Sequence, residues 1–347
     1  MSQNLKIRRI DPELLGLIYG FVGVFGFSLT LPATRAAVTD LDPNIIGLGR
    51  ALVAALLAML VLRITRQPLP NRCHWKSLVI VAAGVVLGFP LLSAWAMRQL
   101  PAAHGGVVLG LMPLATALAG AWRLGERPSL GFWIASIAGS ITVVLFAIIS
   151  GAGQMHWADL ILLSAGFAAA VGYAEGGRLA KDLGGWQVIC WALVLTAPLL
   201  VIPTAIAIYR HGLTASPAAW WGFAYVSIVS QFLAFFPWYR GLALGGVARV
   251  GQVQLLQPFL TIFASALLLS ETITPLTLGA ATIVVMTEAL GKGNDSPEKF
   301  RMNEANSTQS NKRDRKQQIT SGFNLAAPGY DLPALRFLPA CAKLKGI

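Results

Sequence analysis

Charged residues are scarce in this sequence of 347 residues. Asp, Glu, Lys and Arg together make up 12% of the chain, whereas a soluble domain carries roughly 25%. Hydrophobic residues make up 55%, so a soluble globule of this size would lack the polar groups to cover its surface. Soluble globular enzymes and wholly disordered chains are therefore disfavoured.

Cysteines are scarce as well, and nucleotide-binding motifs are missing. The three cysteines, Cys73, Cys190 and Cys341, are far apart, with no CxxC and no neighbouring His pair. This spacing supports neither a disulfide framework nor a zinc site, and we predict no metal and no cofactor. No Gly-x4-Gly-Lys-[Ser/Thr] pattern is present, which disfavours an ATP-driven pump. We also predict no nucleic-acid partner.

Long apolar runs dominate residues 14–290. A helix needs roughly 20 apolar residues to cross the hydrocarbon layer of a bilayer. We predict ten such spans, at about 14–34, 44–62, 77–97, 104–122, 131–149, 157–177, 186–208, 219–239, 248–269 and 274–290.

The Lys and Arg residues between the spans are distributed unevenly. With the N-terminus in the cytosol, thirteen fall in cytosolic segments and three, Arg35, Arg98 and Arg210, fall in outer ones. Cytosolic loops are enriched in these residues, so we predict that both termini are cytosolic. Asp11, Pro12 and Glu13 precede a long first run with no clean cleavage site, so we interpret it as an uncleaved helix.

The chain contains an internal repeat. Three residue pairs recur at an offset of 145: Pro113 with Pro258, Thr116 with Thr261, and Glu126 with Glu271. Each copy holds five spans, and because five is odd the second copy enters the bilayer from the opposite side. Inverted repeats of this kind build many secondary transporters.

Two motifs resemble the EamA repeat of the drug/metabolite transporter superfamily. They are Leu111-Met-Pro113 to Leu124-Gly-Glu126-Arg127, and Leu256-Gln-Pro258 to Leu269-Ser-Glu271-Thr272. Arg50, in Gly47-Leu-Gly-Arg50, also lies where the first EamA repeat has an Arg. The resemblance implies a ten-helix fold with a central cavity, export or exchange of small metabolites or drugs, and a bacterial plasma membrane.

The predicted fold is an all-α polytopic membrane protein with two inverted five-helix EamA repeats. We predict a cytosolic N-terminal segment at 1–13, the first repeat at 14–149, a linker at 150–156 and the second repeat at 157–290. Residues 291–347 contain ten Lys or Arg and five Asp or Glu, which predicts a disordered basic cytosolic tail. A weak contact of this tail with anionic lipid is the alternative.

Polar side chains inside spans are candidates for substrate binding. Arg50 is predicted to attract an anionic or zwitterionic substrate, because a charge within a span is costly without a function; a structural pairing or snorkelling is the alternative. Two helix faces supply further candidates, which equally suit contacts between helices. They are Gln254, Gln257 and Thr261 on the ninth span, and Ser227 and Gln231 on the eighth.

Three ionisable residues are candidates for proton coupling. Glu175 is predicted as a proton carrier, with pairing to Arg178 as the alternative. Glu288 lies near a span end, where an interfacial position is the alternative. His104 begins the fourth span, and a hydrogen-bonded structural role is its alternative.

The repeat motif itself is predicted to be structural. Pro113 and Pro258 lie within helices, and Pro258 frees a backbone carbonyl. Glu126 and Glu271 end their helices and are predicted to act as caps or to hold the next helix at the turn.

Together these features predict a secondary transporter, not an enzyme. It would move a small organic metabolite or drug across the plasma membrane by alternating access, as an exporter. An uncoupled channel or a sensory module is the alternative, and a membrane-embedded lipid-modifying enzyme is a weaker one. The predicted partners are the substrate and the lipid bilayer, with proton coupling and a homodimer left open.

Overall fold

A computed structural model describes residues 11–124, 130–150 and 156–293, and all regular elements in these ranges are helices. We number the ten main helices in chain order, as follows: α1 Pro12–Ala37, α2 Pro43–Ile64, α3 Arg72–Met97, α4 Ala102–Trp122, α5 Leu130–Ser150, α6 Trp157–Leu183, α7 Gly185–His211, α8 Pro217–Gly245, α9 Arg249–Leu269 and α10 Pro275–Gly293.

This architecture confirms the predicted all-α, ten-helix fold. Within the described residues, eight helices are long and apolar enough to cross a bilayer, while α5 and α10 contain shorter apolar stretches. The chain is therefore a multi-pass membrane protein. The predicted tail lies outside the described residues from position 294 onward.

Local chemistry explains where the helices begin. Asp11 accepts a hydrogen bond from the Glu13 amide at 3.0 Å, and Asp42 accepts one from the Asn44 amide at 2.9 Å. Each aspartate is followed by a proline, whose missing N–H and fixed φ suit the first helical position. Gly184 separates α6 from α7 with φ +97°, a conformation that other residues rarely adopt.

The two halves pack in matching ways. Helix α1 lies on α8 just as α6 lies on α3, while α2 packs on α7. Glycines bring the paired backbones together. An ideal Cβ on Gly16 would lie 2.7 Å from the Gly245 nitrogen, and one on Gly84 would lie 2.3 Å from the Ala168 carbonyl oxygen. Small residues of this kind let membrane helices approach closely.

Departures from α-helical winding also recur at the repeat offset. A π-helical segment occupies Ala82–Gly88 in α3, and a second occupies Val226–Leu233 in α8. Short 3-10 segments, Leu109–Leu111 and Gln252–Leu256, precede the motif prolines in α4 and α9. The equivalent helices α1 and α6 differ, because α1 is interrupted at Leu29 whereas α6 continues over 27 residues.

Glu271 caps a helix of the other half. Its two carboxylate oxygens accept hydrogen bonds from the Ala102 and Ala103 amides, both at 2.8 Å, at the start of α4. These amides have no partner within the helix, and a carboxylate also complements the helix dipole there. Glu126, its counterpart in the first motif, lies outside the described residues.

We expect Glu271→Ala to lower the stability of the purified protein by about 2 kcal/mol, because two charge-assisted hydrogen bonds are lost. The melting temperature in detergent, followed by tryptophan fluorescence, measures the effect. Glu13→Ala is the matched control, since it removes a half-exposed carboxylate that pairs with Arg249 and contributes about 0–1 kcal/mol. Equal losses in the two variants would contradict the assigned cap.

Candidate transport site

A small central cavity lies between the two halves; its space between atoms amounts to about 220 Å³, including a part that is open to solvent. Helices α1, α2 and α3 of the first half and α6 and α8 of the second half form its wall. The lining residues are Phe27, Arg50, Val85, Phe89, Ala169, Tyr173, Ser230, Gln231 and Phe235.

Arg50 is the charged group of this cavity. Its side chain comes from α2, and only 1% of the residue is exposed. One terminal nitrogen, Nη2, donates a hydrogen bond to the Ser230 hydroxyl at 2.9 Å, while Nε and Nη1 have no partner. Unpaired buried donors are costly, so these two nitrogens are available to a hydrogen-bond acceptor.

Ser230 ties the guanidinium to the wall of the cavity. Its hydroxyl lies 2.9 Å from Arg50 Nη2 and 2.8 Å from the Thr30 hydroxyl, just after the interruption of α1. One side chain of the second half therefore joins two helices of the first. This linkage restrains the guanidinium at one of its three nitrogens.

Aromatic rings form the apolar side of the cavity. The Phe27 ring centroid lies 4.9 Å from that of Phe235 and 6.0 Å from that of Tyr173. Trp238 extends the cluster, with its centroid 5.4 Å from that of Tyr173. The Trp238 indole is fully buried. The site thus combines one cation with flat apolar surfaces, which suits a molecule with an acidic end and an apolar body.

Gln231 joins the two π-helical segments. Its side-chain Nε2 donates a hydrogen bond to the Val85 carbonyl oxygen at 3.0 Å, and both residues line the cavity. In a π-helix the backbone bonds run from i to i+5, so the local winding differs from that of an α-helix, and such segments are frequent at functional sites. The contact crosses between equivalent segments of the two halves.

A larger crevice of about 530 Å³ lies between α4 and α6. Its lining is apolar and includes Leu111, Leu118 and the exposed Phe167. A binding site needs a few placed polar groups for specificity. The crevice supplies none from its lining side chains, so the smaller central cavity is the better candidate.

Two of the six predicted binding residues, Arg50 and Gln231, line the central cavity, and the other four do not. Gln254 is buried beside Thr116, whose hydroxyl donates to it at 3.4 Å, and its Nε2 has no partner. Thr261 donates to the Ser28 carbonyl oxygen at 2.9 Å, next to the interruption of α1. The remaining two are Ser227, which donates to a carbonyl of its own helix, and the partly exposed Gln257.

The proton-coupling candidates also lie outside the central cavity. Glu175 is buried and pairs with Arg178 at 2.5 Å, and Arg178 also donates to Ser77 at 2.7 Å. His104 Nε2 lies 2.7 Å from an Asp159 carboxylate oxygen. The Glu288 side chain lies outside the described residues.

The sequence did not indicate several residues of the cavity, notably Ser230 and the aromatic residues of the cavity wall. Ser227 and Gln231 share a face of a regular α-helix, which favoured that pair. The π-helical winding of α8 changes this relation, so Ser230 and Gln231 reach the cavity while Ser227 bonds to its own helix. Phe27, Tyr173 and Phe235 carry no signal in the sequence, because aromatic residues are common throughout apolar spans.

Two five-helix halves packed symmetrically about a buried polar cavity define a membrane transporter fold. The profile of the EamA-like transporter family matches residues 14–148 and 156–290. The chain therefore belongs to the EamA-like transporter family, and it is a transporter, not an enzyme.

Relatives agree with this assignment. The chain is similar to the uncharacterized transporter YdeK of Bacillus subtilis, with 47% identity over 257 residues, which cover 74% of this chain and 89% of the relative. It is also similar to the uncharacterized transporter YcbK of the same organism, with 27% identity over 76% of this chain and 88% of the relative. A crystal structure with 17% identity covers 80% of this chain and 98% of its own, with a TM-score of 0.59, and shows the same fold.

Proposed function

We propose that this transporter is a secondary carrier that exports small organic anions with an apolar body by alternating access. The observation that carries this proposal is the buried guanidinium of Arg50, which has two nitrogens without partners in the central cavity. A carboxylate would accept from one of these nitrogens and from the second N–H of Nη2, since Arg binds carboxylates through adjacent, parallel N–H donors. The rings of Phe27, Tyr173 and Phe235 would then contact the apolar body.

The interrupted α1 and the continuous α6 support alternating access. In an inverted repeat, the two access states are related by exchanging the conformations of equivalent helices. In the proposed cycle, α6 bends and α1 straightens as the cavity opens to the other side. The Gln231–Val85 hydrogen bond joins the halves at the cavity and lies where such a movement would pivot.

The proposed orientation places both termini in the cytosol and the start of α4 at the outer face. The uneven distribution of Lys and Arg between the connecting segments supports it. Cysteines introduced at Asn4 and Asn294 should both react with an impermeant maleimide in inside-out vesicles and be protected in intact cells. If one cysteine reacts only in intact cells and the other only in inside-out vesicles, the termini lie on opposite sides and ten alternating spans are excluded.

A matched set of small molecules tests the proposed substrate class. We expect 3-phenylpropanoate to raise the melting temperature of the detergent-purified protein, because it offers a carboxylate and a ring. The neutral 3-phenylpropanamide and the cationic 3-phenylpropylamine have the same body without the anion, and should have little effect. Hexanoate separates the contribution of the ring from that of the charge.

Counterflow of the best-bound acid into proteoliposomes then distinguishes transport from binding. A carrier exchanges labelled for unlabelled substrate and gives no single-channel currents. Equal stabilisation by the amine and the acid, or binding without counterflow, would contradict the proposed function.

A further inference from the structure

Two ion pairs at opposite ends of the bundle are related by the internal repeat. Glu13 at the start of α1 pairs with Arg249 at the start of α9. Asp159 near the start of α6 pairs with His104 at the start of α4. Arg249 follows His104 at the repeat offset of 145, and Asp159 follows Glu13 at 146. In each case an acid on the first helix of one half contacts a base on the fourth helix of the other half.

The two pairs differ in burial. The side chains of Arg249 and Glu13 are 53% and 45% exposed, whereas those of His104 and Asp159 are 10% and 1% exposed. An exposed Arg–Glu pair contributes little to stability. A buried His–Asp pair contains the side chain that changes charge near physiological pH. Equivalent contacts at the two ends therefore respond differently to pH.

The surroundings of the buried pair fix its geometry. The second carboxylate oxygen of Asp159 accepts from the His156 amide at 3.1 Å, and the Asp159 amide donates to the His156 carbonyl oxygen at 3.0 Å. Glu271 lies at the same end of α4, where its carboxylate holds the amides of the first turn. The Phe146 ring of α5 packs on the His104 ring, with centroids 4.8 Å apart.

Apolar side chains pack around the first turns of α4. Leu31 of α1 and Met97 of α3 lie beside Gly105, and Ala103 packs in a cluster with Ile262 and Ala281. Within the described part of the chain, the charged and titratable groups at this end of α4 include His156, Glu271, Arg35 and Arg98. His156 and Glu271 belong to helix caps, and Arg35 holds the end of α3.

Charge then links proton binding to closure of this end. With a neutral imidazole, the pair carries a buried net negative charge, which is costly in a medium of low dielectric constant. With an imidazolium, the pair is neutral overall and its hydrogen bond is charge-assisted, so the contact between α4 and α6 strengthens. Loss of the proton leaves a carboxylate that is better solvated when the two helix ends separate.

We propose that His104 and Asp159 form a proton-binding latch that holds α4 against α6 and closes this end of the carrier when protonated. The latch rests on the proposed function for its role in the transport cycle, and on the proposed orientation for its place at the outer face. In this proposal the proton is a ligand of the protein. The two ends of the bundle then respond differently to pH, although the helices that form them are equivalent.

Distances between spin labels test the latch without a substrate. The full-length chain carries Cys73→Ser, Cys190→Ala and Cys341→Ser, with labels on cysteines at the exposed positions Gln99 and Leu160 near the latch. A second pair, at Leu14 and Gln252, reports on the Glu13–Arg249 end. We expect acidification from about pH 8 to about pH 5.5 to raise the short-distance population near the latch about twofold or more, with no comparable change at the other end.

Three variants show which residues cause the pH-dependent change in distance. His104→Gln keeps a donor for Asp159 but cannot take up a proton, so its distances should not respond to pH. Asp159→Asn should also lose the response, which gives a second readout if His104→Gln folds poorly. His156→Gln is the matched control and should respond as the parent does.

The latch would be contradicted if the spin-label distances near it in the parent protein did not change with pH. It would also be contradicted by a full response in His104→Gln, or by a response that disappears in His156→Gln. A failure of the proposed function would instead appear as absent substrate binding and counterflow, with these distances unaffected.

Discussion

Arg50→Met is expected to abolish binding of the transported acid and, at the same time, to raise the melting temperature of the protein. Two charge-assisted hydrogen bonds to a carboxylate are lost, each worth about 1.5–3 kcal/mol, so affinity should fall about 100-fold or more. The protein itself loses a buried cation that has only one hydrogen bond. Replacing buried charges with apolar residues of similar volume is often neutral or stabilising by about 1–4 kcal/mol.

Arg35→Met is the matched control for this prediction. Arg35 Nη1 donates to the carbonyl oxygens of Met97 and Arg98, at 2.7 and 3.0 Å, and so holds the end of α3. The same substitution there should lower the melting temperature and leave binding unchanged. Thermal scans with and without 3-phenylpropanoate measure both effects. A destabilised Arg50→Met that still binds would show that the guanidinium is structural.

Gly84→Ala is expected to destabilise the protein by about 3 kcal/mol or more, one of the largest effects available to a single methyl group. An ideal Cβ at this position would lie 2.3 Å from the Ala168 carbonyl oxygen and 3.2 Å from the Gly172 Cα. These neighbours are backbone atoms of α6, which cannot rotate away. Helices α3 and α6 would have to separate, and Val85 at the cavity would move with them.

Gly279→Ala in α10 provides the comparison, because an ideal Cβ there has no neighbour within 4 Å. Alanine favours helix over glycine by about 0.5–1 kcal/mol, so this variant should be neutral or slightly stabilised. The yield of monodisperse protein and its melting temperature measure both substitutions. Similar behaviour of the two would show that α3 and α6 do not approach as closely as described.

Much of the fold was predictable because membrane helices carry strong signals. Apolar runs of span length gave ten helices, and the recurrence of Pro113 and Glu126 as Pro258 and Glu271 gave two copies. The interruption of α1 at Leu29 was not predicted, since residues 14–34 were interpreted as one run, although Pro32 lacks the N–H that would bond the Ser28 carbonyl oxygen. In the structure the Thr261 hydroxyl donates to this carbonyl oxygen instead.

The candidate site was only partly predictable. A cation within a span is rare enough to identify Arg50, but the residues around it are ordinary ones. Local helix period selected Ser227 and missed Ser230, because π-helical winding is set by packing and not by sequence pattern. Likewise, His104 was visible from the sequence, whereas its partner Asp159 is 55 residues away and required the structure.

The carboxylate of Glu271 is made 169 residues after the Ala102 amide that it caps. During synthesis, the first amides of α4 therefore lack this partner until the last connection, between α9 and α10, has been translated. The first half alone therefore lacks this cap. A truncation that removes Glu271 should destabilise the start of α4, although α4 itself is complete.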